Sequence, residues 1–320
     1  VGNVIDSQTI IDQYGAEILR LWVASEDYTE DIRISEEILK RLVEAYRRIR
    51  NTGRFILGNL YDFDPARDTV AYSEMAEMDR WILHRLQEVV RRVREAYELY
   101  QFHVVYTTLY NFCTVDLSAL YLDVLKDRLY TSKATSVARR SAQTAMLAIL
   151  EAMARLLAPI LTFTAEELWL ALPAVPGKAE SIHLTQLPEV NEAWLRPELA
   201  ETWKTLIAVK GEVAKAVEAA RQGKVLGHSL DAAVAIGAPE KLRPLLESHR
   251  EDLRALLIVS DLTVSATAPE GALASAEIPG LSVGVSRARG EKCHRCWNYS
   301  ETVGASAEHP TICSRCLVNL

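Results

Sequence analysis

Hydrophobic residues between positions 35 and 172 recur at the three- and four-residue spacing of amphipathic helices. Four stretches show this pattern, near residues 36–60, 73–100, 105–125 and 135–158. Ser35 is a favourable N-cap for the first stretch, because its hydroxyl accepts a hydrogen bond from the first turn. Thr164, with Glu167 three residues later, indicates the start of a shorter helix. Long helices joined by short breaks predict a mainly α fold, an antiparallel helical bundle over residues 35–172.

The parts of the chain on either side of the bundle have shorter and more mixed patterns. Residues 1–34 show one helical pattern and are too short to form a domain. Prolines and a glycine mark residues 173–197 as a connector. Residues 198–286 combine helical patterns with short apolar runs, which predict a small α/β unit. The predicted strands lie at residues 232–236, 257–259, 262–264 and 281–285.

The last segment, residues 287–320, contains two Cys-x-x-Cys pairs separated by 16 residues. This spacing suits a four-thiolate zinc site, in which each pair directs two sulfurs at one Zn²⁺. The sequence therefore predicts one Zn²⁺ per chain. The predicted ligands are Cys293, Cys296, Cys313 and Cys316. The alternatives are two disulfides, idle thiols, or a mixed set that includes His294 or His309.

The fifth cysteine, Cys113, falls in the apolar pattern of the third helix, and we expect it to be a core residue. The net charge of −7 argues against general coating of nucleic acid but leaves room for local basic faces. Basic residues concentrate in two stretches, 36–60 and 126–140. They form either a phosphate-binding surface or an ordinary solvated face.

Several functional classes find no support in the sequence. It contains no Walker loop, dinucleotide fingerprint, nucleophile elbow or His-Glu-x-x-His motif. No apolar run of about 18 residues or signal peptide is present, so we expect a cytoplasmic chain with no membrane partner. The first residue is Val1 rather than methionine, which predicts a fragment of a longer protein.

Specific motifs resemble one family. The run from Gly15 to Ala24 looks like the stretch that follows the KMSKS loop in class I aminoacyl-tRNA synthetases. Further runs narrow the resemblance to isoleucyl-tRNA synthetase of the bacterial type. They are Ile38-Leu39-Lys40-Arg41, Tyr46-Arg47-Arg48-Ile49-Arg50-Asn51-Thr52, Tyr121-Leu122-Asp123 with Lys126-Asp127-Arg128, Ala158-Pro159-Ile160-Leu161, and Glu291-Lys292-Cys293-x-Arg295-Cys296-Trp297 with Cys313-x-x-Cys316.

The resemblance implies the C-terminal part of that enzyme. Residues 1–34 would be the end of the catalytic core and 35–172 the anticodon-binding bundle, with 198–286 as a junction unit and 287–320 as the zinc module. The implied partners are isoleucine tRNA and the N-terminal catalytic and editing domains, which these residues do not include. ATP would serve only the full-length enzyme, so this chain alone is expected to be inactive as a ligase. We expect it to be a monomer.

The basic clusters and the resemblance together predict the residues that contact tRNA. These are Arg47, Arg50, Asn51, Arg54, Lys126, Arg128, Arg295 and Trp297. Arg295 and Trp297 flank Cys296, so metal binding would present them on a rigid knuckle for base stacking and hydrogen bonding. The alternative for Trp297 is packing under the zinc site. Two other functions stay open: a zinc-ribbon interaction module on a helical scaffold, and the equivalent region of the valine, leucine or methionine enzyme.

Overall fold

A computed structural model describes residues 6–175 and 177–320 of the chain. These residues fall into two compact units. The first unit extends to Asp123 and resumes over Ala134–Arg196, while the second comprises Val124–Lys133 and Pro197–Leu320. Residues 1–5 of the predicted first segment, and Pro176 of the predicted connector, lie outside the described residues. Among the described residues, every helix is too short or too polar to span a bilayer.

The first unit is helical, as its apolar periodicity predicts. Its elements are α1 (Ser7–Tyr14), α2 (Ala16–Ser25), α3 (Glu36–Asn59), α4 (Pro65–Asp68), α5 (Glu77–Glu98), α6 (Phe102–Asn111), a π-helical segment (Phe112–Tyr121), α7 (Leu122–Thr131), α8 (Val137–Leu157) and α9 (Thr162–Ala171), with 3₁₀ turns at Tyr72–Glu74, Ile182–Leu184 and Glu192–Trp194. From Val124 onward, α7 belongs to the second unit. The predicted third helix is thus an α–π–α succession rather than one regular helix.

Local capping chemistry sets several of the helix ends. The Ser35 hydroxyl accepts a hydrogen bond from the Ile38 N–H at 3.2 Å, which confirms the predicted N-cap of α3. Ser136 caps α8 in the same way through the Arg139 N–H. The second predicted helix begins later than expected, at Glu77, because residues 72–74 form a 3₁₀ turn.

The predicted N-cap role of Thr164 is wrong. Helix α9 begins two residues earlier, at Thr162, and a carboxylate from a distant helix satisfies its first turn. Glu17 Oε1 accepts the N–H groups of Phe163 and Thr164, each at 2.9 Å. Arg20, one turn further along α2, donates to the carbonyls of Pro159 and Ile160 at 2.6 and 2.9 Å. These two side chains hold the α8–α9 turn against α2.

The core of the first unit contains a small buried polar network. Tyr121, at the end of the π-helical segment, is fully buried and donates to Asp79 of α5 at 2.7 Å. The Ser141 hydroxyl of α8 donates to the other Asp79 oxygen. Cys113 is also fully buried, which confirms it as a core residue, and burial raises the pKa of its thiol to about 12.

The second unit contains a four-stranded sheet and the cysteine-rich end of the chain. Its elements are α10 (Pro197–Gln222), β1 (Ala232–Gly237), α11 (Arg243–Ser248), α12 (Arg250–Leu257), β2 (Asp261–Ser265), β3 (Leu273–Ala274), β4 (Ser282–Arg287), β5 (Glu291–Lys292), β6 (Tyr299–Ser300) and α13 (Ser314–Leu317), with a 3₁₀ turn at Ser229–Asp231. The sheet order is β2-β1-β4-β3. Strand β1 pairs parallel with β2 and antiparallel with β4.

Three of the four predicted strands are present in this sheet, as β1, β2 and β4. The predicted strand at residues 257–259 is wrong. Leu257 ends α12, and Ile258 takes a left-handed conformation, with φ of +55°, as its C-cap. The apolar residues 257–259 therefore end a helix rather than extend a sheet.

Candidate zinc centre and nucleic-acid interface

The first cysteine pair lies in the turn between β5 and β6, which pair antiparallel. Gly290 leads into this hairpin with φ of +83°, and a Cβ there would lie 2.3 Å from the carbonyl carbon of Ser300. Only glycine fits this approach. Within the turn, the Cys293 N–H donates to the Asn298 carbonyl at 2.9 Å, and the Trp297 N–H donates to the Cys293 carbonyl at 2.8 Å.

The second pair is built on the short helix α13. Cys313 precedes its first residue and Cys316 lies within it, with the Leu317 N–H donating to the Cys313 carbonyl at 3.0 Å. The His294 N–H donates a hydrogen bond to the Thr311 carbonyl, also at 3.0 Å. This bond joins the first cysteine pair to the residues that precede the second pair. All four cysteines are buried.

The four sulfur atoms converge on one point. All lie within 4.8 Å of one another, and Cys296 Sγ is 3.8 Å from Cys313 Sγ. A tetrahedral zinc ion with bonds of about 2.3 Å requires sulfurs about 3.8 Å apart. A disulfide would need about 2.05 Å, and all five cysteines are free. This donor set fits one Zn²⁺, as predicted, and excludes the two-disulfide alternative.

The electrostatics of the cluster also suit a dication. Burial opposes ionisation of Cys293, but backbone N–H groups that point at its sulfur outweigh this and lower its pKa to about 6. Burial raises the pKa of Cys313 and of Cys316, and the charge on neighbouring Cys296 raises both further. Four buried thiolates therefore repel one another, and a bound Zn²⁺ would remove that repulsion.

Neither candidate histidine belongs to the cluster. The metal-binding group found in the described part of the chain consists of the four cysteines alone. His294 is exposed, and His309 is half-buried with its backbone N–H bonded to the Ser306 hydroxyl at 3.3 Å. A closed four-sulfur shell is typical of a structural zinc site rather than a catalytic one.

Two arginines beside the cysteines dock the zinc module, which we define as residues 287–320, onto α7. Arg315 donates to both carboxylate oxygens of Asp127, at 2.5 and 2.8 Å, and this carboxylate raises the arginine pKa. Arg295 Nη2 donates to the carbonyls of Thr131 and Asn319, each at 3.1 Å. The sequence-based prediction missed the role of Arg315 and Asp127, although both stand in motifs that carried the family resemblance.

Trp297 is not packed under the cysteine cluster. Its side chain is 58% exposed, although its backbone is anchored in the metal-binding turn. The Lys292 ammonium lies 5.4 Å from the ring centroid, so a cation covers one region of the indole. The ring is available for stacking, and its predicted contact with a base stays a prediction.

The four predicted contacts in α3 lie on one side of that helix. Arg47, Arg50, Asn51 and Arg54 follow the i, i+3, i+4, i+7 spacing of a single stripe. Arg50 pairs with Glu167 at 2.6 Å and Arg47 with Glu44. Arg54 is exposed and makes no ion pair with any described residue.

The remaining predicted contacts, Lys126 and Arg128, lie on α7. Lys126 is exposed and Arg128 is half-buried. Together with Arg295 and Trp297 they belong to the second unit, whereas the α3 stripe belongs to the first. The structure therefore groups α7 with the zinc module. The local sequence pattern alone assigns the residues of α7 to the bundle.

Three family models match the chain in order. Residues 1–35 match class I tRNA synthetases (I, L, M and V), residues 79–236 match the anticodon-binding domain of tRNA ligase, and residues 290–318 match a zinc finger found in FPG and IleRS. Together these matches correspond to the anticodon-binding part of a class I tRNA synthetase followed by a zinc finger.

Curated relatives narrow the match to one member of this class. The isoleucine–tRNA ligase of Syntrophotalea carbinolica is 51% identical over 100% of this chain and 34% of its own length. That of Geobacter sulfurreducens is 48% identical over 99% of the chain and 34% of its own length. The chain thus corresponds to the C-terminal anticodon-binding and zinc region of isoleucine–tRNA ligases, as its motifs predicted. It spans about a third of the length of these relatives.

Among solved structures, a ternary complex of Agrobacterium radiobacter LeuRS with tRNA and LeuAMS aligns with 61% of this chain and 22% of that chain. The sequence identity is 18% and the TM-score is 0.46. This likeness is too low to support a functional argument.

Proposed function

We propose that this chain is the tRNA-recognition part of an enzyme that joins isoleucine to its tRNA at the expense of ATP. The observation that carries the proposal is the buried four-cysteine cluster with an exposed Trp297, in a chain 51% identical to an isoleucine–tRNA ligase. Amino-acid activation would occur outside these residues, and the chain alone would not activate isoleucine. Its partner would be isoleucine tRNA, bound by a monomer.

The zinc site would serve recognition by making a small module rigid. A structural Zn²⁺ contributes its binding free energy to local folding, which a segment of about 30 residues with little apolar surface needs. The metal would fix the turn from which Trp297 projects. An indole held in this way can stack on an unpaired base of the anticodon loop.

Basic side chains would supply the part of the affinity that does not depend on sequence. The α3 stripe and the cations of α7 would neutralise phosphates, and each neutralised phosphate releases counterions. Because the overall charge is −7, a polyanion would be attracted to local cation clusters rather than to the surface as a whole. The proposed compartment is the cytoplasm, and five cysteines without a disulfide bond agree with its reducing conditions.

Binding of this chain to isoleucine tRNA, compared with an unrelated tRNA over a range of salt concentrations, tests the proposal. We expect preference for isoleucine tRNA and an affinity that falls steeply with salt. Replacing Arg47 and Arg54 by alanine should flatten the logarithmic salt dependence by roughly 0.7–0.9 per lost phosphate contact. Lys204→Ala with Arg221→Ala in α10 is the matched control, because it also removes two exposed cations, each paired within its own helix.

Equal binding to both tRNAs would contradict the proposal and favour an interaction module for protein partners. A salt dependence that the α3 variant and the α10 control change equally would mean that the stripe is an ordinary solvated face. Isoleucine-dependent pyrophosphate exchange by the purified chain would contradict the expected lack of activation chemistry.

A further inference from the structure

A second exposed aromatic residue lies on α7, the helix onto which the zinc module docks. Tyr130 is in the last turn of α7 and its side chain is 59% exposed. Lys126 precedes it by one helical turn, on the same face, and is also exposed. Lys133, exposed as well, follows two residues after the helix ends. An aromatic ring thus lies between two cations along one short segment.

The zinc module holds the backbone on either side of this tyrosine. Asp127, three residues earlier, binds Arg315 through two hydrogen bonds, and the carbonyl of Thr131, the next residue, accepts from Arg295 at 3.1 Å. The Lys133 N–H donates to the Asn319 side chain at 3.1 Å. The Tyr130 ring is therefore presented by a backbone that long-range contacts fix. Such rigid presentation lowers the entropic cost of binding.

We propose that Tyr130 is a second base-stacking residue, which takes an unpaired nucleotide of the tRNA loop while Lys126 and Lys133 contact the adjacent phosphates. This inference rests on the proposed function. Aromatic side chains interleaved with cations are the usual way in which proteins bind single-stranded nucleic acid, because stacking uses the base and the cations use the backbone. A stem would offer no splayed base to the ring.

Substitution of Tyr130 tests its role. Tyr130→Ala should weaken binding of isoleucine tRNA about ten- to a hundredfold, whereas Tyr130→Phe, which keeps the ring, should bind within about threefold of the unchanged chain. Tyr61→Ala is the control, because Tyr61 is 79% exposed in the first unit and has no assigned contact with tRNA. Zinc content and thermal unfolding of each variant establish that it is folded.

An anticodon stem-loop with abasic loop nucleotides separates stacking from phosphate contact. On this probe, Tyr130→Ala and the unchanged chain should bind equally, since no base remains to stack. Loss of tRNA affinity in Tyr130→Ala no larger than that in Tyr61→Ala would overturn the inference. So would an equal loss in Tyr130→Ala on the normal and abasic stem-loops. If the unchanged chain fails to prefer isoleucine tRNA, it is the proposed function that fails.

Discussion

Trp297 combines an exposed ring with a backbone conformation that suits glycine. Its φ is +65°, in the left-handed region, which costs a residue with a side chain about 1–2 kcal/mol. Trp297 directly follows Cys296. The chain turns at this point so that the sulfurs of Cys293 and Cys296 both face the cluster. Residues held in such strained conformations cluster at functional sites, and this placement supports a binding role for the indole.

Two substitutions of Trp297 separate the ring from the backbone. Trp297→Gly and Trp297→Ala both remove the indole and its contact with Lys292, so tRNA affinity should fall about ten- to a hundredfold in both. Zinc content should stay at one per chain. The glycine variant should be more stable than the alanine variant by about 1 kcal/mol, because only glycine relaxes at positive φ. Chemical denaturation and metal analysis measure these effects.

The outcome that contradicts this prediction is loss of zinc in both variants. In that case the indole would support the fold of the turn. If tRNA affinity is unchanged while zinc is retained, the ring does not read the anticodon loop.

At the level of elements, the contact between the zinc module and α7 depends on an ion pair between residues far apart in sequence. Asp127 and Arg315 are 188 residues apart, and both side chains are about 40% exposed. Exposed ion pairs usually contribute less than about 1 kcal/mol, but paired hydrogen bonds to both carboxylate oxygens place this pair toward the upper end. The pair acts together with the Arg295 bonds to the Thr131 and Asn319 carbonyls.

A double-mutant cycle tests this contact. Asp127→Arg should destabilise the second unit and reduce tRNA affinity, since it places two arginines against each other. Combining it with Arg315→Asp restores opposite charges and should recover part of both losses, with a coupling energy of about 1 kcal/mol at low salt. The coupling should shrink as salt rises. Additive effects in denaturation curves would show that the two side chains do not stabilise one another.

At the scale of the whole molecule, the first unit and the zinc module depend on different sources of stability. The first unit buries long apolar helix faces and a hydrogen-bonded polar network around Asp79. The zinc module has little apolar core beyond its cysteines, with Val303 and Ile312 packed against them. Its fold should therefore depend on the metal.

Removal of zinc should accordingly unfold the zinc module and leave the helices of the first unit intact. A chelator should weaken tRNA binding and make the zinc module susceptible to proteolysis. The helical circular dichroism signal should change little. Cys293→Ser with Cys313→Ser should reproduce this result without a chelator, whereas Cys113→Ser should retain one zinc per chain. Full retention of zinc in the double variant would refute the assigned ligands.

Acid should release the metal. The pKa of Cys293 is lowered to about 6, so its thiolate is present above that pH and protons compete with zinc as the pH falls below it. This value belongs to the metal-free cluster, and bound Zn²⁺ would lower the pKa further, so the stability that the thiolate contributes is lost on acidification and not on alkalinisation. A zinc indicator measured during a pH titration tests the direction of this change.

Several features of this protein follow from local sequence alone. The apolar spacing that predicts α3, α5 and α8 acts within a few turns, and the Ser35 cap acts across three residues. The zinc ligands were predicted because each Cys-x-x-Cys turn directs its own two sulfurs. Motifs of a few consecutive residues were likewise sufficient to predict the family. Each of these features depends on neighbours in the chain, which a single sequence displays.

Tertiary structure decided what depends on distant partners. Glu17 satisfies the first turn of α9 from 147 residues away, so the local capping pattern at Thr164 predicted the wrong cap. Ile258 ends a helix instead of extending a strand because its neighbours pack within α12, which short apolar runs do not reveal. The exposure of Trp297 and the pairing of Arg315 with Asp127 also required the fold. The surface on which a side chain lies depends on packing between segments remote in sequence. Local periodicity does not reveal this packing.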